Sequence, residues 1–534
     1  MSKLYNNMND LRRLIHARMS AFFSLWLLFF ILQDHFCDAK DPTPAKLKVL
    51  YNSLDPHSIP QHLALYELYP NTKEGQQALQ DAYSLLAGRS TFLNEAIPLP
   101  SSFSYSIDAL IGLVNKNSDS HHVELTKAEL ACVDRLASRL PNRKLPGYRI
   151  QSEEELLKLK PSEIDLAHGI LISQFGSSQP AFSQIRSYEA AIDLMALQIL
   201  TRISLTDSPK AKVRALNHFI FEEIGFRFPP HSSYSKEIDH YTFLPSVLDS
   251  RRGVCLGVSI LYICLAQRLN LDLEIVTPPG HIFVRWHEGD ETINIETTAR
   301  GIHLKDEDYL GMDTLALQQR NVKETIGMAY FNQASVFWER DDYDKAMESY
   351  RKAQLFLPDD KQLIELMGYI SLLQGDEKQG KMFLQQIRDH IPDHAVSKNS
   401  IAEDYLSGNV GSDAIKAIFK HVDETRLSLL EKRQELERIL QKYPKFREGL
   451  FSLAGIWLQL HRTGEALEVL ERYHEIDQNN ATIEYYLAAL YAERTDYNNA
   501  WKHFRLSEAL VKRRGHEPKA LSTFRQELAS LCPE

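Results

Sequence analysis

Hydrophobic and polar positions follow three different rhythms along this chain, and each change of rhythm marks a different part. Through Glu74–Gly88 and Thr126–Leu140, apolar residues recur every three or four positions, which predicts helices. Residues 40–184 are therefore expected to form a helical N-terminal region, broken at Pro98, Pro100 and Ser101-Ser102 and again over 173–178. The near-continuous apolar run from Cys255 to about Leu269 predicts a buried helix. Strict alternation follows. His281, Phe283 and Arg285 share one face of a strand, while Ile282, Val284 and Trp286 share the other. In the next stretch Ile293 and Ile295 share a face, and Asn294 and Glu296 share the opposite one. Gly289 suits a two-residue primed turn between them. Closing the hairpin on Glu288-Gly289 pairs Val284 with Ile293 and Ile282 with Ile295, and sets His281 opposite Glu296.

After about Gln318 a 34-residue period appears, the signature of tetratricopeptide helix pairs. Gly327, Tyr330, Ala334, Phe337, Ala346, Tyr350, Ala353 and Pro358 hold the typed positions of a first pair. Thirty-four residues beyond Ala334, Ala346 and Pro358 stand Gly368, Gly380 and Pro392. A later pair matches Ala454, Trp457, Ala466 and Leu470 with Ala488, Tyr491, Ala500 and Phe504. The expected division is repeats over 320–394, a degenerate helical repeat over 395–446, repeats over 447–514, and a C-terminal helix over 515–534. Such arrays present a concave groove that holds a protein or peptide partner. Lys323, Arg340 and Lys345 are candidates for lining it.

The middle of the chain carries the candidate chemistry. Cys255 opens its helix, where the N-terminal partial charge favours a thiolate, as do the nearby Arg251 and Arg252. Cys264 lies nine residues on, about two and a half turns away, and points into the core. His281 would serve Cys255 as base, and Glu296 would orient the imidazole and favour its charged form. Arg285 falls on the same face, where it either contacts substrate or is solvated.

These residues also resemble a family. The runs Leu216–Phe228, Tyr241–Trp286 and Asn294–Gly301 look like the transglutaminase-like superfamily, papain-like in fold, and more narrowly its bacterial SirB-type branch. The matching features are a Phe/Glu-rich helix ending at Gly225-Phe226, Val247-Leu248 through Arg251 to Gly253, Pro279-Gly280-His281, and an acidic strand from Glu296 to Gly301. The resemblance spans roughly residues 185–312 and implies a Cys–His–Asp triad, carried onto Cys255, His281 and Glu296. Here Glu296 stands where the family usually has Asp.

Composition narrows the remaining choices. With 534 residues, several domains are expected. The net charge of −10 and the absence of a basic stripe with interleaved aromatics argue against a nucleic-acid partner. Five cysteines without a CxxC pair do not form a disulfide scaffold. No Walker loop, dinucleotide fingerprint or HExxH helix occurs, so neither a cofactor nor a metal is expected. His121-His122 reads as a loop.

Lys3, Arg12, Arg13 and Arg18 precede the apolar run Ala21–Leu32, the length of a signal-peptide core and short for a bilayer span. Cys37-Asp38-Ala39 suggests cleavage after Ala39, an uncleaved inner-membrane anchor being the alternative. In a bacterial source either places the chain outside the cytoplasm, periplasmic or secreted.

The expected architecture is α+β: a helical N-terminal region, a papain-like domain with a small antiparallel sheet, and an all-α solenoid. Two functions follow. One is an exported cysteine-dependent amide hydrolase or acyltransferase on substrates held by the repeats. The other is a non-catalytic repeat scaffold.

Overall fold

A computed structural model describes residues 42–88, 99–116, 124–229, 238–422 and 425–533. The apolar segment Ala21–Leu32, Cys37 and His121-His122 lie outside them. Among the described residues no helix is long and apolar enough to cross a membrane.

The chain divides into two compact units, residues 1–82 and 83–534. In the first, Thr43 and Ser58 cap the helices Pro44–Asn52 and Ile59–Leu68, each of which starts with proline in its first turn. Buried Leu47, Ile59, Leu63, Ala78 and Leu79 form its apolar interior.

The second unit begins with helices and then gathers around one that is buried on almost every side, Cys255–Arg268. Leu256, Val258 and every residue from Ser259 to Ala266 are buried, because the helices Leu166–Phe175 and Gln179–Ile199 pack against it together with strand β2 (Phe283–Glu288). Its far end is held by charge. Arg268, fully buried, donates from Nε to Asp193 at 2.6 Å and from Nη1 to the Cys264 carbonyl at 3.0 Å. Arg143 also pairs with Asp193. The N-terminal helices are thereby fastened to the helix that starts at Cys255.

The sheet is four-stranded and antiparallel, in the order β3-β2-β1-β4, with β1 Glu274–Thr277, β3 Glu291–Ile295 and β4 Gln318–Arg320. The β2–β3 register differs from the expected one by two residues: Val284 faces Ile295 and Trp286 faces Ile293. The loop is Gly289-Asp290, with φ of +59° at Gly289 alone. A primed turn with positive φ at only its first central position places glycine there, so the hairpin closes one residue later than Glu288-Gly289. A shift of two keeps every side chain on its face. His281 therefore still shares a face with Glu296 and meets it diagonally.

From Val322 onward the fold is helical, completing the α+β architecture. The pairs are Val322–Glu339 with Tyr343–Phe356, Lys361–Leu373 with Glu377–Ile387, Arg447–Gln459 with Thr463–Ile476, and Ala481–Glu493 with Tyr497–Arg513. Small residues stand where the helices touch: a Cβ on Gly368 would lie 2.8 Å from Leu384, and one on Gly380 2.3 Å from Leu372. Between the second and third pairs come two short helices, Ile401–Leu406 and Ser412–Phe419, and the long helix Arg426–Lys442. A last helix, Lys519–Leu531, packs on the final pair. Lys323 does not face a groove. Its ammonium donates to the Leu157 and Leu159 carbonyls at 2.6 and 3.1 Å.

Candidate active site

Three local structures carry the three candidate side chains. Cys255 is the first residue of its helix, preceded by an extended Val254 and by Arg251 in the left-handed region at φ +53°. Gly257 in the first turn is required by a close approach, since a Cβ there would sit 2.3 Å from the Tyr241 carbonyl oxygen. His281 follows a turn in which its N–H donates to the Pro278 carbonyl at 3.1 Å, with Gly280 at φ +70°. Proline then positive-φ glycine at the two central positions is the sequence signature of a type II turn. Glu296 ends the β3 stretch, where its N–H donates to Ile302 and its carbonyl accepts from Gly301 at 2.8 Å. The helix and the Glu296 turn are pinned together by the buried hydroxyls of Ser259 and Thr297, 3.0 Å apart.

These three side chains converge. His281 Nε2 lies 2.7 Å from Glu296 Oε2, and the Cys255 thiol is close enough to the same imidazole to push its pKa up. With Nε2 committed to Glu296, Nδ1 is the ring nitrogen left for the sulfur. The imidazole side chain is 30% exposed and the carboxylate 6%, so a substrate can reach the ring while Glu296 stays beneath it. Interaction with Cys255, then the hydrogen bond with Glu296, outweigh burial and push the His281 pKa up to about 10. At neutral pH the ring is an imidazolium. Burial opposes charge on Glu296, but donation from His281, Thr298 and Tyr309 overrides it and holds the carboxyl below its ordinary range.

The sequence reading missed two of these partners. Thr298 donates to Glu296 Oε1 from its hydroxyl at 2.8 Å and from its N–H at 3.3 Å. Tyr309 donates its hydroxyl to Glu296 Oε2 at 2.9 Å and stacks over both His281 and Phe283, with centroids 6.3 and 4.5 Å apart. Thr298 was findable as the residue two beyond the acid, a usual place for a side-chain-to-backbone turn. Tyr309 had no such signal, because it enters from a loop.

Two expected helpers have other duties. Arg285 is buried, donating to Asn294 at 2.8 Å and to Asp306 at 2.5 Å, so it neither contacts substrate nor is solvated. Arg251 donates to the backbone carbonyls of Ile224 and Lys116, and does not serve the thiol. Cys264 is fully buried, and burial pushes its thiol pKa up.

Residues 186–327 match the family model described as the transglutaminase-like superfamily. This stretch is a transglutaminase-like domain. Over 115 residues, 21% of this chain, the protein is 28% identical to the F-box only protein 21 of Mus musculus and to that of Homo sapiens. The match spans 16% of each relative's length. Among solved structures, MamA is similar at 12% identity with a TM-score of 0.20, covering 34% of this chain and 96% of that one. A tetratricopeptide repeat protein from Parabacteroides merdae is similar at 14% identity with a TM-score of 0.20, covering 39% and 70%. These likenesses are too low to define the solenoid, which rests on its own helix pairs and their 34-residue spacing.

Two predictions arise directly from this geometry of the transglutaminase-like domain. The folded pKa of His281, about 10, exceeds the unfolded value of roughly 6.5, so the protonated ring stabilises the fold. That contribution is complete below pH 6.5 and is lost as pH rises through 10. The stability difference between wild type and His281→Gln, followed by urea unfolding, is expected to be largest near pH 6 and to shrink toward pH 10. A difference that widens with rising pH contradicts the assignment. Second, Tyr309→Phe keeps the stacked ring but removes a donor to a charged acceptor. A loss of roughly 1.5–3 kcal/mol is expected from urea midpoints, and an unchanged midpoint rules the contact out.

Proposed function

We propose that the transglutaminase-like domain is a cysteine-dependent acyl-transfer enzyme acting on amide bonds of protein or peptide substrates, which the helical repeats hold. One observation carries this reading: a thiol at the start of a buried helix stands beside an imidazole that is hydrogen-bonded to a carboxylate. Attack of the Cys255 sulfur on the amide carbonyl carbon forms an S–C bond and an oxyanion. The backbone N–H groups at the helix start, which have no acceptor within the helix, face that developing charge. The His281 imidazolium then gives its proton to the leaving nitrogen, the C–N bond breaks, and a thioester remains beside a neutral ring. The ring next takes a proton from an incoming nucleophile as that nucleophile attacks the thioester and the C–S bond breaks. Water as nucleophile gives a carboxylic acid and hydrolysis; an amine gives a new amide and transfer. Hydrolysis is the preferred outcome, with the repeats as substrate holder.

Peptide release from casein and incorporation of a fluorescent primary amine into casein separate the two products in one experiment. Either activity should disappear in Cys255→Ala. A wild-type chain that does neither, with Cys255 unreactive, leaves the second reading, a non-catalytic scaffold. That reading draws on the four helix pairs between Val322 and Arg513, a span of the chain longer than the domain.

Export belongs to the same proposal. The basic N-terminus and the apolar run Ala21–Leu32 support a periplasmic or secreted chain in a bacterial source, or one anchored in the inner membrane. Fractionation of cells expressing the full sequence tests it, and retention in the cytoplasm contradicts it.

A further inference from the structure

The last two helix pairs contain a second cluster of reactive side chains, independent of the Cys255 site. Glu484, in helix Ala481–Glu493, is fully buried and sits between two imidazoles. His474 Nδ1, near the end of Thr463–Ile476, lies 2.6 Å from Oε1. His503 Nδ1, on Tyr497–Arg513, lies 2.7 Å from Oε2. The ligand atoms of all three lie within 4.8 Å of one another. Tyr491 stacks on the His503 ring at 5.4 Å, nearly parallel, and fixes its plane. Among the described residues, the two imidazoles are the only side-chain hydrogen-bond partners of Glu484; no lysine or arginine pairs with it.

We infer that His474, Glu484 and His503 form a site for a divalent transition-metal cation of the zinc class, clamping the last two repeats together. A carboxylate removed from water needs a compensating positive charge close by. A divalent cation supplies one, and two imidazole nitrogens with one carboxylate are a donor set that suits zinc, with a fourth position left for water. Binding through Nδ1 moves each ring's proton to Nε2, so neutral rings release no proton. The required movement is small. Tetrahedral zinc with bonds near 2.0–2.1 Å places neighbouring ligand atoms about 3.3 Å apart, roughly 0.7 Å beyond the present contacts. Entry is possible from the His474 side, where 16% of that side chain is exposed, against 5% for His503 and none for Glu484. No spacing motif marks the site, because the three ligands come from three helices.

The test uses the untagged full chain with Cys255→Ser, so that the thiol cannot supply a competing site. After removal of metal by a chelator, the chain is titrated with zinc against a chromophoric chelator, and with cobalt(II) in parallel. One tightly held equivalent is expected, with the visible ligand-field bands of tetrahedral cobalt. His503→Gln and His474→Gln should each weaken zinc binding by at least about 100-fold, beyond the loss expected from removing an outer partner. His474 is partly exposed, so the His474→Gln chain keeps the test valid should the buried His503→Gln chain fail to fold. No bound equivalent, or one that both substitutions leave intact, overturns the site and makes the trio a buried ion pair with a protonated imidazole.

Discussion

Replacing His281 with alanine is expected to lower turnover of an amide substrate by about 10²–10⁴-fold, with substrate binding little changed. The ring has two duties in the proposed cycle. As imidazolium it favours the anionic sulfur, and as an acid it protonates the leaving nitrogen. Alanine removes both and leaves only the helix-start N–H groups. The fold should survive at reduced stability, because the side chain is partly exposed. Glu296→Gln is the informative companion. Glutamine keeps an acceptor oxygen near Nε2 but loses the charge that helps hold the ring protonated. Its turnover should fall and its pH profile move, whereas a merely structural Glu296 would change stability without moving the profile. Steady-state rates on casein-derived peptides from pH 5 to 10 check both variants, and a His281→Ala chain as active as wild type removes the ring from the mechanism.

Arg268→Ala is expected to destabilise the second unit by about 3–5 kcal/mol, the range for breaking a buried ion pair by deleting one partner. The guanidinium is fully buried and holds Asp193, with Asp165 3.9 Å away. Its removal leaves Asp193 with Arg143 alone and takes the nearby cation from Asp165, and neither carboxylate reaches water. The urea midpoint of the unit measures the loss. Arg268→Met combined with Asp193→Leu should recover part of it, because an apolar pair leaves fewer stranded charges. If alanine is tolerated within about 0.5 kcal/mol, the network does not fasten the Cys255 helix to the N-terminal helices.

The type of each element was legible in the sequence wherever a periodicity was long. The apolar run after Cys255, the alternation around Val284 and Ile293, and the 34-residue spacing each correspond to a buried helix, a hairpin and helix pairs. Register was less legible. Side-chain alternation has period two, so it distinguishes the faces of the hairpin but not a shift of two residues along it. Only the φ preference at Gly289 decides between the closures. His281 and Glu296 come together in either register, which is why the contact could be anticipated from an incorrect pairing.

What the sequence could not disclose are the contacts made by single residues from loops and separate helices. Tyr309 reaches Glu296 from a segment without periodicity, and Arg285 is drawn inward by Asn294 and Asp306 although alternation placed it on an accessible face. Arg251 lies four residues before Cys255, yet its left-handed backbone turns the guanidinium toward Ile224 and Lys116. Proximity in sequence does not fix direction. The buried trio of His474, Glu484 and His503 is the extreme case, a cluster made entirely by helix packing.

Alkylation of the full chain by iodoacetamide at pH 6, with each cysteine quantified by peptide mass, tests the thiol–imidazole–carboxylate chain most directly. Cys132 and Cys264 are buried, and Cys532 is partly exposed like Cys255, so the protein carries its own references. Cys255 should be modified far faster than Cys532, and that advantage should vanish in His281→Ala. Equal rates at Cys255 and Cys532 in the wild-type chain would contradict an activated sulfur and leave the domain inert.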